Sequence, residues 1–196
     1  MLEKEIISTV RSYASNNSEK DDVHGFPHVE RVHNLCLQLG KELGANMLVL
    51  EIAVFLHDIG RIKEKEDLLN RNHAEISAEL AIKFLKSKEF DLNEIDIDNI
   101  IHSIRSHSFS NNKKPTTLEA KILSDADKLD ALGAIGLYRT IGFTIKRKGG
   151  VDQVIEHLEN KILKLKDKLY LDISKEIAEE RELIIYDFYN LLLRQK

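Results

Sequence analysis

Apolar residues recur along this chain at the spacing of one helix face and hardly anywhere in strict alternation, so the pattern predicts helices. The stretches that keep the helical period lie at about 2–15, 27–40, 46–58, 73–88, 93–107, 117–130, 131–146, 151–169 and 173–194. The residues between them are helix stops and starts. Pro27 suits the first turn of a helix, where its missing N–H is not needed. Gly40 and Gly44 read as closing the second helix, Gly60 as ending the third, and Gly149-Gly150 as setting off the last pair. Asn111-Asn112-Lys113-Lys114-Pro115 reads as a loop, with Thr116 or Thr117 as N-cap of the helix after it. No repeat or low-complexity tract interrupts the series. The expectation is an all-α fold, a single-domain helical bundle over 1–196, with the C-terminal helical pair 151–194 inside the same domain.

Composition narrows the class of protein. Of 196 residues, 42% are hydrophobic and 32% charged, which is the balance of a globular chain and excludes wholesale disorder. A formal charge of −4 offers no global electrostatic basis for coating a DNA or RNA polymer or an anionic membrane. No run of about 18 apolar residues is present to span a membrane. One cysteine, Cys36, excludes a disulfide scaffold, and the start Met1-Leu2-Glu3-Lys4-Glu5 lacks the apolar stretch of a secretory leader. Together these predict a cytoplasmic protein. The basic run Lys146-Arg147-Lys148 is read first as a solvated helix end, which also suits the helix dipole there.

The eight histidines are unequal. His28 shares a helical stripe with Val32, Leu35 and Leu39, which points it at the core. His57 closes the apolar run Ile52-Ala53-Val54-Phe55-Leu56 and is followed directly by Asp58. Asp127 lies in line with Ala120, Leu123, Ala131 and Ala134, a carboxylate on an apolar face. Inward carboxylates are costly unless paired or bound to a metal, so two imidazoles and two carboxylates aimed at one core suggest a divalent metal site. Core pairing without a metal is the blander account of the same residues. His73 lines up with Ile76, Leu80 and Phe84, and His107 with Ile100 and Ile104, whereas His33 and His157 lack such neighbours and read as surface residues.

The order of these residues is informative. Val23-His24-Gly25-Phe26-Pro27-His28-Val29-Glu30-Arg31-Val32 comes first, then Phe55-Leu56-His57-Asp58-Ile59-Gly60, then Asp125-Ala126-Asp127-Lys128-Leu129-Asp130. Over about residues 20–140 this strongly resembles the HD-domain superfamily of metal-dependent phosphohydrolases, whose signature is His, then His-Asp, then a distal Asp. It looks most like the small stand-alone branch. The resemblance implies that His28, His57, Asp58 and Asp127 ligate a metal, with Asp58 also orienting the nucleophilic water as the catalytic residue. It implies a second tier of substrate or second-metal contacts: His24, Arg31, His73, His107 and Asp130. In dinuclear relatives, histidines between the His-Asp pair and the distal Asp hold a second ion bridged by the Asp of the pair. Their paired-histidine pattern is missing from this chain, and the acid that HD phosphomonoesterases often place three residues after the pair is here Arg61.

Imidazole with carboxylate suits Mn²⁺, Fe²⁺, Co²⁺, Ni²⁺ or Zn²⁺, with Mg²⁺ admissible, at one or two ions per chain. Such an ion lowers the pKa of a coordinated water toward about 7 and polarises a P–O bond. The expected activity is hydrolysis of a small phosphorylated substrate, a nucleotide by analogy with the family, releasing phosphate or pyrophosphate. The rival function is a non-catalytic helical module that binds a nucleotide or a protein. For the amphipathic C-terminal helices, core packing is the first use and a homodimer interface the second.

Overall fold

The computed structural model describes residues 2–88 and 90–196, and it is all-α, with no strand among those residues. Its helices group into two compact units, one ending at Ser124 and one running from Asp125 to Lys196. The first unit is built around α3 (Met47–Leu56), which follows α1 (Glu3–Asn16) and α2 (Phe26–Leu43). Every residue of α3 from Ile52 to Leu56 is buried. That burial on all sides explains why α3 reads as a continuous apolar run rather than a stripe. The helices α1, α2, α5 (His73–Ser87) and α6 (Glu94–Ser106) pack around it, and the one-turn α4 (Arg61–Glu64) lies against α5. The long α7 (Leu118–Asp130) begins in the first unit and ends in the second. The second unit adds α8 (Gly133–Lys146), α9 (Val151–Asn160) and α10 (Asp172–Gln195), with α8 packed by both α9 and α10.

All nine predicted helices are present, with most ends displaced by a residue or two, and the departures have local causes. Gly40 does not end α2; the helix continues to Leu43 and closes on Gly44 in the left-handed region at φ 70°. Thr117, not Thr116, caps α7, its hydroxyl accepting from the Ala120 amide at 3.2 Å. The predicted helix 151–169 stops at Asn160 and continues as two 3₁₀ turns, Ile162–Lys164 and Lys166–Lys168. Those turns bury Ile162, Leu165 and Leu169, so the apolar period survives although the α-helix does not. Residues 57–60 form a turn, and Gly60 precedes α4, a helix too short to show any period.

Candidate metal centre

Four of the imidazoles the sequence singles out sit at helix ends. His28 lies in the first turn of α2 and His73 opens α5, while His57 and His107 are the C-cap residues of α3 and α6. The last carbonyls of a helix lack intrahelical donors. His57 and His107 use the same local solution: Nδ1–H donates to the carbonyl three residues back, Val54 O at 2.5 Å and Ile104 O at 2.6 Å. A carbonyl can only accept, so both rings carry their proton on Nδ1 and present the Nε2 lone pair to the interior. His73 is held the same way by a side chain, its Nδ1 donating to Glu64 Oε1 at 3.2 Å, which also accepts from the His73 amide at 2.8 Å. The Glu64 carboxyl is lowered mainly by that side-chain hydrogen bond, so it stands as an ionised acceptor.

These nitrogens converge on one carboxylate. Asp58 Oδ2 lies 3.6 Å from Nε2 of His28 and 3.6 Å from Nε2 of His57. Asp58 Oδ1 lies 3.4 Å from Nε2 of His73 and 3.5 Å from Nε2 of His107. Asp58 is buried to 3% exposure, and His28, His57 and His107 to 0%. Burial alone pushes the Asp58 carboxyl up, but the Arg61 guanidinium beside it outweighs burial and holds the group well below the usual carboxylate range. The Arg61 Nε–H donates to Asp58 Oδ2 at 2.5 Å. Where the family resemblance led to the expectation of an acid, Arg61 thus supplies a cation that keeps Asp58 ionised.

The arrangement fits divalent ions. Nε2 of His73 and Nε2 of His107 face each other at 3.3 Å, and opposed lone pairs at that distance repel unless a cation or proton lies between them. Asp58 Oδ1, 3.4 and 3.5 Å from the two nitrogens, is buried without a hydrogen bond. Two ligands of one transition ion, each at a typical bond length of about 2.1 Å, stand on the order of 3–4 Å apart, as these do. The atoms fall into two sets that share Asp58: His28, His57 and Asp58, and Asp58, His73 and His107.

Gly60 lets the His-Asp turn reach α5. A Cβ there would stand 2.6 Å from both His73 O and Ser77 N, and the Gly60 amide donates to Ser77 Oγ at 2.9 Å. Gly25 does the same ahead of His28, where a Cβ would meet Asp21 O at 2.3 Å.

The other residues singled out from the sequence have the following burial and partners. His24 is half-buried in the preceding turn, its amide donating to Asp21 Oδ1 at 3.1 Å, and Arg31 donates to the Asp22 carbonyl at 3.0 Å. Asp127 and Asp130 belong to the second unit; Asp127 is half-buried, and Asp130 accepts from Arg139 at 2.7 Å in a buried ion pair. Asp125 serves the start of α10, accepting from the Tyr170 amide and, at 2.9 Å, from the Leu171 amide. His33 and His157 are half-buried rather than fully exposed: His33 pairs with Glu51 at 2.9 Å over the Phe55 ring, and His157 packs edge-on against Phe143. In both cases an aromatic neighbour, invisible to helical spacing, covers the ring. Periodicity also missed Glu64, because its contact with His73 crosses a loop.

Comparison with known proteins gives the family of the chain. The family model for the HD domain matches residues 25–132. The chain is 29% identical over 197 residues to the uncharacterized protein YpgQ of Bacillus subtilis, covering 96% of this chain and 91% of that protein. The crystal structure of YpgQ in complex with ADP superposes with a TM-score of 0.78 at 26% identity, over 100% of this chain and 97% of the other. A predicted HD superfamily hydrolase from an uncultured Thermotogales bacterium gives a TM-score of 0.67 at 26% identity, covering 97% and 91%. Ribonuclease Y of Thermoanaerobacter pseudethanolicus is 27% identical over 162 residues, 81% of this chain but only 29% of that enzyme.

Proposed function

The chain belongs to the HD domain family, and from that premise we propose that it is a metal-dependent phosphohydrolase acting on a nucleotide. The observation that carries this reading is the single ionised carboxylate of Asp58 set among four inward Nε2 atoms. His28, His57 and Asp58 would hold one divalent ion, and Asp58, His73 and His107 a second. The sequence motif, rather than any placement, assigns Asp127 as a further ligand. Ions held there would supply Lewis acidity toward a phosphoryl oxygen and an acidified water as nucleophile.

The chain's own residues prepare that chemistry. Backbone carbonyls fix the tautomers of His57 and His107, so neither ring must release a proton to bind a cation. Arg61 keeps Asp58 deprotonated, which leaves it able to orient a water or accept its proton. A nucleotide is favoured as substrate because the similar YpgQ binds ADP and covers the same length of chain. Ribonuclease Y, matched over a small part of its length, supports a polymer substrate less well.

The test is metal content per chain on protein purified without chelators, run beside a phosphate and pyrophosphate release screen with added Mn²⁺ on nucleotides and on a short single-stranded RNA. The expected result is one to two ions per chain, release from a nucleotide, and loss of both in Asp58→Ala. Release from RNA alone would replace the substrate class. Absence of metal and of turnover with every ion tried would overturn the reading.

A further inference from the structure

His73 and His107 come from different helices, the first residue of α5 and the C-cap of α6. Their Nε2 lone pairs meet at 3.3 Å and repel, so other contacts must hold the two helix ends together. Glu75 gathers such contacts. It lies two residues after His73, about 200° round α5 and so off the ligand face.

Glu75 Oε1 takes the Lys113 ammonium at 2.7 Å and accepts from Asn111 Nδ2 at 3.2 Å, and Oε2 stands 3.2 Å from Arg105 Nε. Arg105 lies two residues before His107, and Asn111 and Lys113 lie in the loop after it. Asn111 Nδ2 also donates at 2.6 Å to the Arg105 carbonyl, one of the last in α6. Asn72, the N-cap of α5, donates to Ser110 Oγ at 2.8 Å, a second tie between that loop and α5. Asn112 is left-handed at φ 52°, a region Asn tolerates, and turns the chain so that Lys113 reaches Glu75. Burial would raise the Glu75 carboxyl, but Lys113 and then Asn111 outweigh it, so the carboxylate is ionised between two cations. A lone exposed ion pair contributes little; one carboxylate shared by three side chains forms a network.

We propose that Glu75 is a positioning residue for the second ion set. With Arg105, Asn111 and Lys113 it clips the end of α6 to the start of α5, and so fixes the approach of His73 to His107. The proposal rests on the reading that Asp58, His73 and His107 hold an ion, and it gives Glu75 no contact with metal or substrate. Ligands held in place by the fold bind more tightly, because no ordering cost is left to the binding step.

Zn²⁺ titration followed by NMR of each histidine ring reads the two sets separately, His28 and His57 for one, His73 and His107 for the other. In Glu75→Gln the affinity read at His73 and His107 should fall about tenfold, the scale of partners outside a ligand set. The affinity read at His28 and His57 should keep its value. The same variant should shift the His73 and His107 ring signals before any Zn²⁺ is added. Lys113→Gln, at an exposed position, should weaken the same set on the order of threefold. It should add nothing further in the Glu75→Gln background, and Lys114→Gln, outside the clip, should bind as wild type. Unchanged affinity at His73 and His107 in Glu75→Gln overturns the proposal. An equal loss in both sets also overturns it, since general loosening of the fold moves both. So does a wild type whose His73 and His107 signals ignore Zn²⁺. Every readout is binding, so absence of turnover on any phosphorylated substrate overturns the hydrolase reading and leaves this one standing.

Discussion

Glu64 shows how much of a site one residue can set from outside it. Its Oε1 accepts both the amide and the Nδ1–H of His73, which orients the ring and keeps its Nε2 lone pair facing Asp58. Partners of this kind typically contribute 10–100-fold to metal affinity. Glu64→Gln should therefore weaken binding to the set containing His73 and His107 by roughly that factor, while the set containing His28 is spared. Mn²⁺ titration followed by electron paramagnetic resonance would read this as one weakened and one preserved site; two unchanged sites would remove Glu64 from the account. Histidine burial also predicts a pH dependence of folding. His102 and His157 are both lowered, chiefly by burial, so the unfolded state binds their protons more readily than the folded one. Stability then rises with pH up to the unfolded value of about 6.5 and is lost as pH falls below it. The urea midpoint of metal-free protein should drop between about pH 7.5 and 5.5. His157→Gln should flatten that slope, and an unaltered slope would contradict the assignment.

At the scale of elements, the site depends on helix ends meeting at close range. The turn after α3 reaches α5 only because position 60 lacks a Cβ, the obstructing atoms being backbone of His73 and Ser77. Its φ of −82° is open to any residue, so space and not conformation demands glycine. Gly60→Ala should destabilise the fold by about 1–3 kcal/mol through overpacking. It should also lower metal affinity, because the displaced backbone carries His73. Chemical denaturation and metal titration on the same variant would check both, and wild-type behaviour in each would show that the turn relaxes freely. Helix existence was legible from spacing alone, since an amphipathic stripe and its caps are local. The short α4 and the 3₁₀ turns after Asn160 were not, because stretches of three or four residues carry no period.

For the molecule as a whole, the buried acids separate into two kinds. Asp58 lies among nitrogens that present lone pairs, whereas Asp125 is satisfied by the amides of Tyr170 and Leu171, which tie the segment before α10 to α7. Asp125→Ala would strand those amides at about 1–3 kcal/mol each. It should lower the denaturation midpoint without touching the ligands His28, His57 and Asp58, and Asp125→Asn should recover part of the loss. An unchanged midpoint in Asp125→Ala would mean water replaces the carboxylate. No helix among the described residues is long and apolar enough to cross a membrane, as the absence of a long apolar run had suggested. By itself the sequence determined the helical class, the inward stripe bearing His28, and the ordered motifs of the HD family, because period and motif order are properties of the chain read one residue after another. Only the tertiary structure decided that His73 and His107 share the Asp58 carboxylate with His28 and His57, that Arg61 and Glu64 hold the site in its charge state, and that Asp125 and Asp130 are engaged by other groups. Those facts are distances between residues far apart in sequence, and they exist only once helix packing has brought the ends of α2, α3, α5 and α6 together.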